Sequence, residues 1–115
     1  MSEQQTKPII TNNIEDGKTP AIISYITIIG TIIAYFMNNE KKNTFAAFHI
    51  RQMIGLNIFS LLNAFVIGQF SSYASQGISL GLFVLWIIGF IGAAKGEEKK
   101  IPLLGDLFQD WFKAI

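Results

Sequence analysis

Two long stretches of this chain carry no charged side chain, and they constrain its fold more than any other feature. No Asp, Glu, Lys or Arg occurs between Lys18 and Glu40, or between Arg51 and Lys95. A soluble helical domain needs a charged outer face on each helix. These stretches have none, so their outer faces suit lipid better than water. The chain is therefore predicted to be an integral membrane protein.

Three segments are predicted to cross the bilayer as helices, at about residues 20–38, 53–70 and 78–94. The first is rich in β-branched residues, but a lone strand in lipid cannot satisfy its own backbone hydrogen bonds, so a helix is predicted. About nineteen residues at ~1.5 Å each span roughly 28 Å, close to the ~30 Å hydrocarbon thickness. The predicted fold class is all-α, with a helical membrane domain over residues 20–115 behind a flexible polar tail of residues 1–19.

The C-terminal segment has the pattern of an amphipathic helix over about residues 102–115. Its apolar residues recur at helical spacing: Leu104, Leu107, Phe108, Trp111, Phe112 and Ile115. Asp106 and Asp110 lie mostly on the opposite face. This helix is too short and too acidic to cross, so it is predicted to lie in the membrane interface or to dock on the bundle. A purely lipid-seeking helix would carry Lys and Arg on its polar face, which favours docking on protein.

Basic residues set the predicted orientation. With three crossings, the tail and the second turn share one side and hold Lys7 and Lys18. The other side holds the remaining basic residues: Lys41, Lys42, Arg51, Lys95, Lys99, Lys100 and Lys113. This bias places the N-terminus outside and the C-terminus in the cytoplasm of a plasma (inner) membrane.

Polar side chains form a stripe on each of the first two predicted spans. The first stripe comprises Ser24, Thr27, Thr31, Tyr35 and Asn38, and the second comprises His49, Gln52, Asn57, Ser60 and Asn63. Polar groups avoid hydrocarbon, so each stripe should face the other or a partner. Interhelical hydrogen bonding is one interpretation, and a polar path or substrate groove is the other. The path is disfavoured because a conducting path usually carries an ionisable residue at mid-membrane, and none is present.

Small residues on the third span, Gly89, Gly92 and Gly96 with Ala93, allow close helix packing within the chain or against a second protein. His49 is the only histidine and lies beside Arg51 at a helix entry. One interpretation is that His49 belongs to a hydrogen-bonding cluster at the helix entry. The alternative is that it makes a pH-sensitive contact or a contact with a partner. The candidate packing or partner contacts are His49, Arg51, Gln52, Asn57, Asn63, Gly89, Gly92, Gly96 and Trp111.

No catalytic, cofactor or metal site is predicted. Cysteine is absent, which removes disulfides, thiolate metal sites and cysteine nucleophiles. One histidine without a second ligand or a nucleophile supports neither metal binding nor a catalytic triad. The net charge of +1 and the lack of a basic patch give no indication of nucleic-acid binding.

Two motifs resemble those of a known family. They are Phe48-His49-x-x-Gln52, which follows the charged loop, and Pro102-Leu-Leu-Gly105, which follows the last span. Over about residues 20–110 the chain looks like the small bacterial membrane proteins related to the Tic-twenty import component of the chloroplast inner envelope. The resemblance implies a helical membrane fold and an association with protein translocation. Plastid members are described with four spans, whereas three are predicted here, and the resemblance implies no catalytic residues.

The predicted function is that of a non-enzymatic small membrane subunit or accessory protein, which binds the lipid bilayer and another membrane protein or a second copy of itself. An oligomeric small channel or transporter is one alternative, since three short helices cannot enclose a pore alone. A membrane immunity or stress protein is another.

Overall fold

The computed structural model describes residues 14–114, and all five helices in this range pack without any strand. The predicted all-α class is confirmed. The helices are α1 (Ile14–Ser24), α2 (Ile28–Lys41), α3 (Thr44–Phe70), α4 (Ser72–Lys95) and α5 (Gly105–Trp111). Residues 1–13 of the predicted tail lie outside the described part of the chain, and residues 14–19 belong to α1.

Capping groups in the sequence define the ends of the long helices. Asn43 accepts a hydrogen bond from the Ala46 amide at the start of α3, and Ser71 does the same for Ala74 at the start of α4. Gly96 ends α4 at φ 79°, a left-handed conformation that favours glycine. A π-helical turn at Asn63–Ile67 interrupts the regular α geometry of α3. The connection between the second and third predicted spans, 53–70 and 78–94, is reduced to Ser71, because Ser71 already caps α4.

Within residues 14–114, two helices are long and apolar enough to cross a membrane, and they are α3 and α4. They run antiparallel, because Asn63 of α3 contacts Ser75 and Ser79 of α4 while His49 lies near Gly92. Three crossing helices were predicted. The difference lies in the first segment, residues 20–38, which the structure divides between α1 and α2.

The first segment forms a helical hairpin that enters and leaves at the same end of the molecule. Gly17 near the start of α1 packs on Asn43. Asn43 follows the C-terminal end of α2, so the start of α1 and the end of α2 lie together. Asp16 and Lys41 line one cavity with Asn43. Near the tip of the hairpin, the Thr31 hydroxyl donates to the Ser24 carbonyl at 2.7 Å. The predicted continuous helix is therefore replaced by two antiparallel ones.

The hairpin tip, residues 25–27, is the point at which the helix breaks. Thr27 caps α2 by accepting a hydrogen bond from the Gly30 amide at 3.0 Å. The Tyr25 carbonyl, freed from the helix, accepts one from the Trp86 indole at 2.8 Å. These partners satisfy the backbone groups that a broken helix would otherwise leave unpaired in an apolar surrounding.

The core lies at the end where α1 and α3 begin and α2 and α4 end, called here the charged end. Its buried apolar residues include Tyr25, Phe45, Met53, Leu56, Ala93, Ile101 and Phe108. The opposite end, around Ser71, holds only α3 and α4 and is called the uncharged end. Phe70 and Tyr73 there are 85% and 87% exposed.

Candidate functional site

A buried chain of hydrogen bonds joins α1, α3 and the segment after α4, and we call Tyr25, His49 and Gln52 the buried network. The Tyr25 hydroxyl lies 2.7 Å from Nδ1 of His49 and 3.1 Å from Nε2 of Gln52. Nε2 of His49 lies 2.8 Å from the carbonyl oxygen of Glu97. The Ile101 amide donates to Oε1 of Gln52 at 2.8 Å.

The partners of the buried network fix the position of each hydrogen. A carbonyl oxygen only accepts, so Nε2 of His49 donates to Glu97 and Nδ1 accepts from the Tyr25 hydroxyl. The hydroxyl in turn accepts from the Gln52 amide, whose oxygen takes the Ile101 N–H. Each of the three side chains is thus used as donor and acceptor, and all three are at most 1% exposed. The arrangement holds helices together and leaves no free base beside a nucleophile.

The predicted small-residue face of α4 lies against this network inside the monomer. A Cβ at Gly89 would lie 2.7 Å from the Tyr25 hydroxyl, and one at Gly92 would lie 2.9 Å from Cβ of Lys99. Gly96 lies beside Ile14 and Lys18 of α1. These glycines therefore let α1 and the segment after α4 approach the helix closely.

Arg51 and Phe108 dock α5 on α3. The Arg51 guanidinium donates to Oε1 of Gln109 at 3.3 Å and to the Lys113 carbonyl at 3.1 Å, while Gln109 donates to the Phe48 carbonyl at 2.8 Å. The Phe108 ring is fully buried and packs on Gly55. Trp111 lies at the edge of this contact and is 56% exposed. The C-terminal helix is thus docked on the chain's own bundle, over Gly105–Trp111 rather than the longer predicted range.

A polar groove lies between α3 and α4, beyond the hairpin tip. It encloses about 260 Å³ and is lined by Met53, Leu56, Asn57, Ser60, Asn63, Ser79, Leu82, Phe83 and Trp86. Nδ2 of Asn63 donates to the Ser75 carbonyl at 3.1 Å and to the Ser79 hydroxyl at 2.8 Å. Oδ1 of Asn63 is buried and has no hydrogen-bond partner within residues 14–114. The groove is therefore lined by both polar and apolar side chains, and the side chain of Asn63 in its wall carries a buried acceptor that has no partner in this range.

The two predicted polar stripes meet at one point. Asn57 of α3 donates to the Thr31 hydroxyl of α2 at 2.9 Å. Asn38 instead pairs reciprocally with the backbone of Asn43, at 2.9 and 3.0 Å. His49 and Gln52 join the buried network, and Asn63 turns toward α4. The stripes thus serve interhelical and loop hydrogen bonds, and Ser60 alone among the α3 stripe is left exposed in the groove.

Tyr25 and Trp86 take central positions, although neither residue was among the candidate contacts predicted from the sequence. Tyr25 joins the network through its hydroxyl, and Trp86 holds the hairpin tip through its indole N–H. Trp86 also stacks on Phe90, with ring centroids 5.4 Å apart. A signal was available, because a tyrosine hydroxyl or indole N–H in a charge-free stretch needs a buried partner.

No group of three or more His, Cys, Asp or Glu side chains suited to holding a metal ion occurs in the described range 14–114. The fold and the buried network define a small helical protein with two candidate membrane spans, in which Tyr25, His49 and Gln52 join helices to one another.

The chain belongs to the family of UPF0132 membrane proteins. It is 33% identical over 88 residues to UPF0132 membrane protein MJ1443 of Methanocaldococcus jannaschii, covering 73% of this chain and 76% of that protein. UPF0132 membrane protein MJ1527 of the same organism is 29% identical over 82 residues, covering 68% of this chain and 58% of that protein. No family model matches the chain. No solved structure matches it. Its membership makes it a membrane protein that associates with the lipid bilayer.

Proposed function

We propose that the protein is a non-enzymatic membrane subunit that binds a transmembrane segment of another membrane protein in the polar groove. The observation that carries this proposal is the buried, unpaired Oδ1 of Asn63. Leaving such an acceptor unpaired costs about 1–3 kcal/mol. A partner helix in the groove would cover its exposed rim, including Phe83, and a rotation of the Asn63 side chain toward that helix would let Oδ1 accept a hydrogen bond and remove this cost.

The proposed topology has two crossings, by α3 and α4, and a re-entrant hairpin of α1 and α2. The basic residues of the described chain support it: Lys18, Lys41, Lys42, Arg51, Lys95, Lys99, Lys100 and Lys113 belong to the charged end or to the segments beside it. The positive-inside rule then places the charged end in the cytoplasm. The proposed topology differs from the predicted one, in which the N-terminal segment lies outside. The reason is that Lys18 of α1 lies beside Gly96 at the end of α4, so both belong to the charged end.

Single-cysteine labelling tests this topology without background, since the chain has no cysteine. In inside-out vesicles, a membrane-impermeant maleimide should label Lys18→Cys and Glu98→Cys alike. Gln76→Cys at the uncharged end should be labelled only in right-side-out preparations. Labelling of Lys18→Cys and Glu98→Cys from opposite faces would instead support three crossings.

The link to protein translocation rests on the Tic-twenty resemblance. In this chain its motif Phe48-His49-x-x-Gln52 supplies two members of the buried network, and the motif at Pro102–Gly105 follows Ile101, whose amide completes it. The network therefore holds the charged end together and fixes α3, on which half of the groove is built. We propose that the segments bound in the groove are transmembrane segments of proteins being exported or inserted.

Photo-crosslinking tests the groove as the binding site. Benzoylphenylalanine at Phe83 replaces one aromatic ring by another in the groove, and Phe83 is 54% exposed. The matched control places it at Leu80, which is 66% exposed and outside the groove. We expect defined protein adducts from position 83 in native membranes and few from position 80. The same adducts from both positions, or only lipid adducts, would contradict the proposal, and adducts between two copies would favour the oligomeric alternative.

A further inference from the structure

The hairpin of α1 and α2 reaches only halfway along the two long helices. Thr31 near its tip bonds to Asn57, which is the midpoint of the 27-residue helix α3. At ~1.5 Å per residue, α1 and α2 are roughly 16 and 21 Å long, against a hydrocarbon thickness of ~30 Å. In the proposed topology, the hairpin therefore ends near the middle of the bilayer.

The outward face of the hairpin is apolar, which suits acyl chains. Ile26, Ile29 and Phe36 are 64%, 69% and 65% exposed. Ser24, Thr31 and Asn38 of the hairpin turn inward instead, where they are buried and hydrogen-bonded. The exposed charged residues of the hairpin, such as Glu15, Asp16 and Glu40, lie at the charged end. A hairpin lying outside the membrane would expose these large apolar side chains to water. The occupant of this face is therefore the hydrocarbon of the leaflet on the charged side.

The molecule is consequently wide in one leaflet and narrow in the other. Beside the charged end, α1 and α2 are added to α3 and α4, whereas only α3 and α4 continue past the hairpin tip, which lies about one helical turn beyond the contact of Thr31 with Asn57. Two helices of ~10 Å diameter add about 150 Å² of cross-section to one leaflet. This added area displaces lipid from one leaflet only, so the two leaflets differ in area. The difference is accommodated when the wider leaflet lies on the convex side of a curved membrane.

We propose that the chain acts as a wedge in the bilayer and concentrates in membranes whose charged-side leaflet is convex. This inference rests on the two-crossing topology proposed above. It is independent of the groove and of any protein partner. The lipid bilayer itself is the ligand, recognised through its curvature.

Sorting into membrane tethers pulled outward from giant vesicles tests the wedge on the whole protein. Glu98→Cys, labelled from outside with an impermeant dye, marks the molecules whose charged end faces the convex leaflet. Gln76→Cys, labelled in the same way, marks the opposite orientation and is an internal control. We expect the first population to be enriched in the tether over the flat vesicle by at least about twofold, and the second to be depleted.

A matched pair of substitutions assigns the sorting to the hairpin. Ile29→Asn in the hairpin and Leu80→Asn in α4 replace side chains of similar exposure, 69% and 66%. We expect Ile29→Asn to lower the enrichment toward unity and Leu80→Asn to leave it unchanged. Equal tether density of the two orientations, or equal effects of the two substitutions, would overturn the wedge. Failure of the topology itself is seen separately, because Lys18→Cys and Glu98→Cys would then be labelled from opposite faces.

Discussion

Replacing Tyr25 by Phe removes one oxygen atom from the centre of the buried network. The Tyr25 hydroxyl bridges Nδ1 of His49, at 2.7 Å, and Nε2 of Gln52, at 3.1 Å. The substitution keeps the ring that packs on Phe90 and Gly89. It therefore tests the hydrogen bonds and leaves the apolar packing nearly unchanged.

The expected cost follows from the two groups that lose their partner. One acceptor of His49 and one donor hydrogen of Gln52 stay buried, since both residues are fully enclosed. Each unpaired polar group costs about 1–3 kcal/mol. The total is reduced in part because phenylalanine has no hydroxyl that must be desolvated on folding. We expect Tyr25→Phe to lower the free energy of unfolding by about 2–4 kcal/mol.

Reversible unfolding in mixed detergent micelles measures this loss. Tyr73→Phe is the control, because Tyr73 is 87% exposed, and its effect should stay within about 0.5 kcal/mol. The double variant Tyr25→Phe/Gln52→Leu should cost less than the sum of its single variants, since both remove the same hydrogen bond. A loss for Tyr25→Phe no larger than that for Tyr73→Phe would refute the network as a source of stability.

Glycine substitutions provide further predictions. Gly89→Ala places a Cβ 2.7 Å from the Tyr25 hydroxyl, so it should destabilise the fold by about 1–3 kcal/mol in the same unfolding assay. Gly81→Ala is its control, because apart from the adjoining backbone of its own helix no atom of the described residues lies within 4 Å of that Cβ, and it should be neutral or stabilising by up to about 1 kcal/mol. Gly55→Ala would drive a Cβ into the Phe108 ring and should release α5, seen as faster proteolysis near the C-terminus. If the C-terminus of the Gly55→Ala variant is cleaved no faster than that of the parent chain, the docking of α5 on α3 is contradicted.

Several elements of the fold could be predicted from local pattern. The charge-free stretch between Arg51 and Lys95 contains most of α3 and nearly all of α4, with only Ser71 between the two helices. The apolar spacing after Pro102 predicted an amphipathic helix that lies in the membrane interface or docks on the bundle, and the structure places Phe108 of that helix in the core. These features follow from hydrophobicity and spacing within one segment.

The site is less predictable, because its partners are far apart in the sequence. His49 and Gln52 were singled out as candidate contacts, yet their partners are a tyrosine at the hairpin tip and two backbone groups at Glu97 and Ile101. Nothing in residue spacing says which carbonyl or amide will be near. The unpaired Oδ1 of Asn63 likewise depends on how α4 lies against α3.

The sequence by itself determined that this chain lies in a membrane as helices, because charge-free segments of this length must satisfy their own backbone in lipid. Only the tertiary structure decided that the first apolar segment turns back as a hairpin. The break at residues 25–27 is stabilised because the Trp86 indole, 61 residues away, donates a hydrogen bond to the freed Tyr25 carbonyl. A helix break in hydrocarbon depends on a remote donor, and remote donors are known only once the helices are packed.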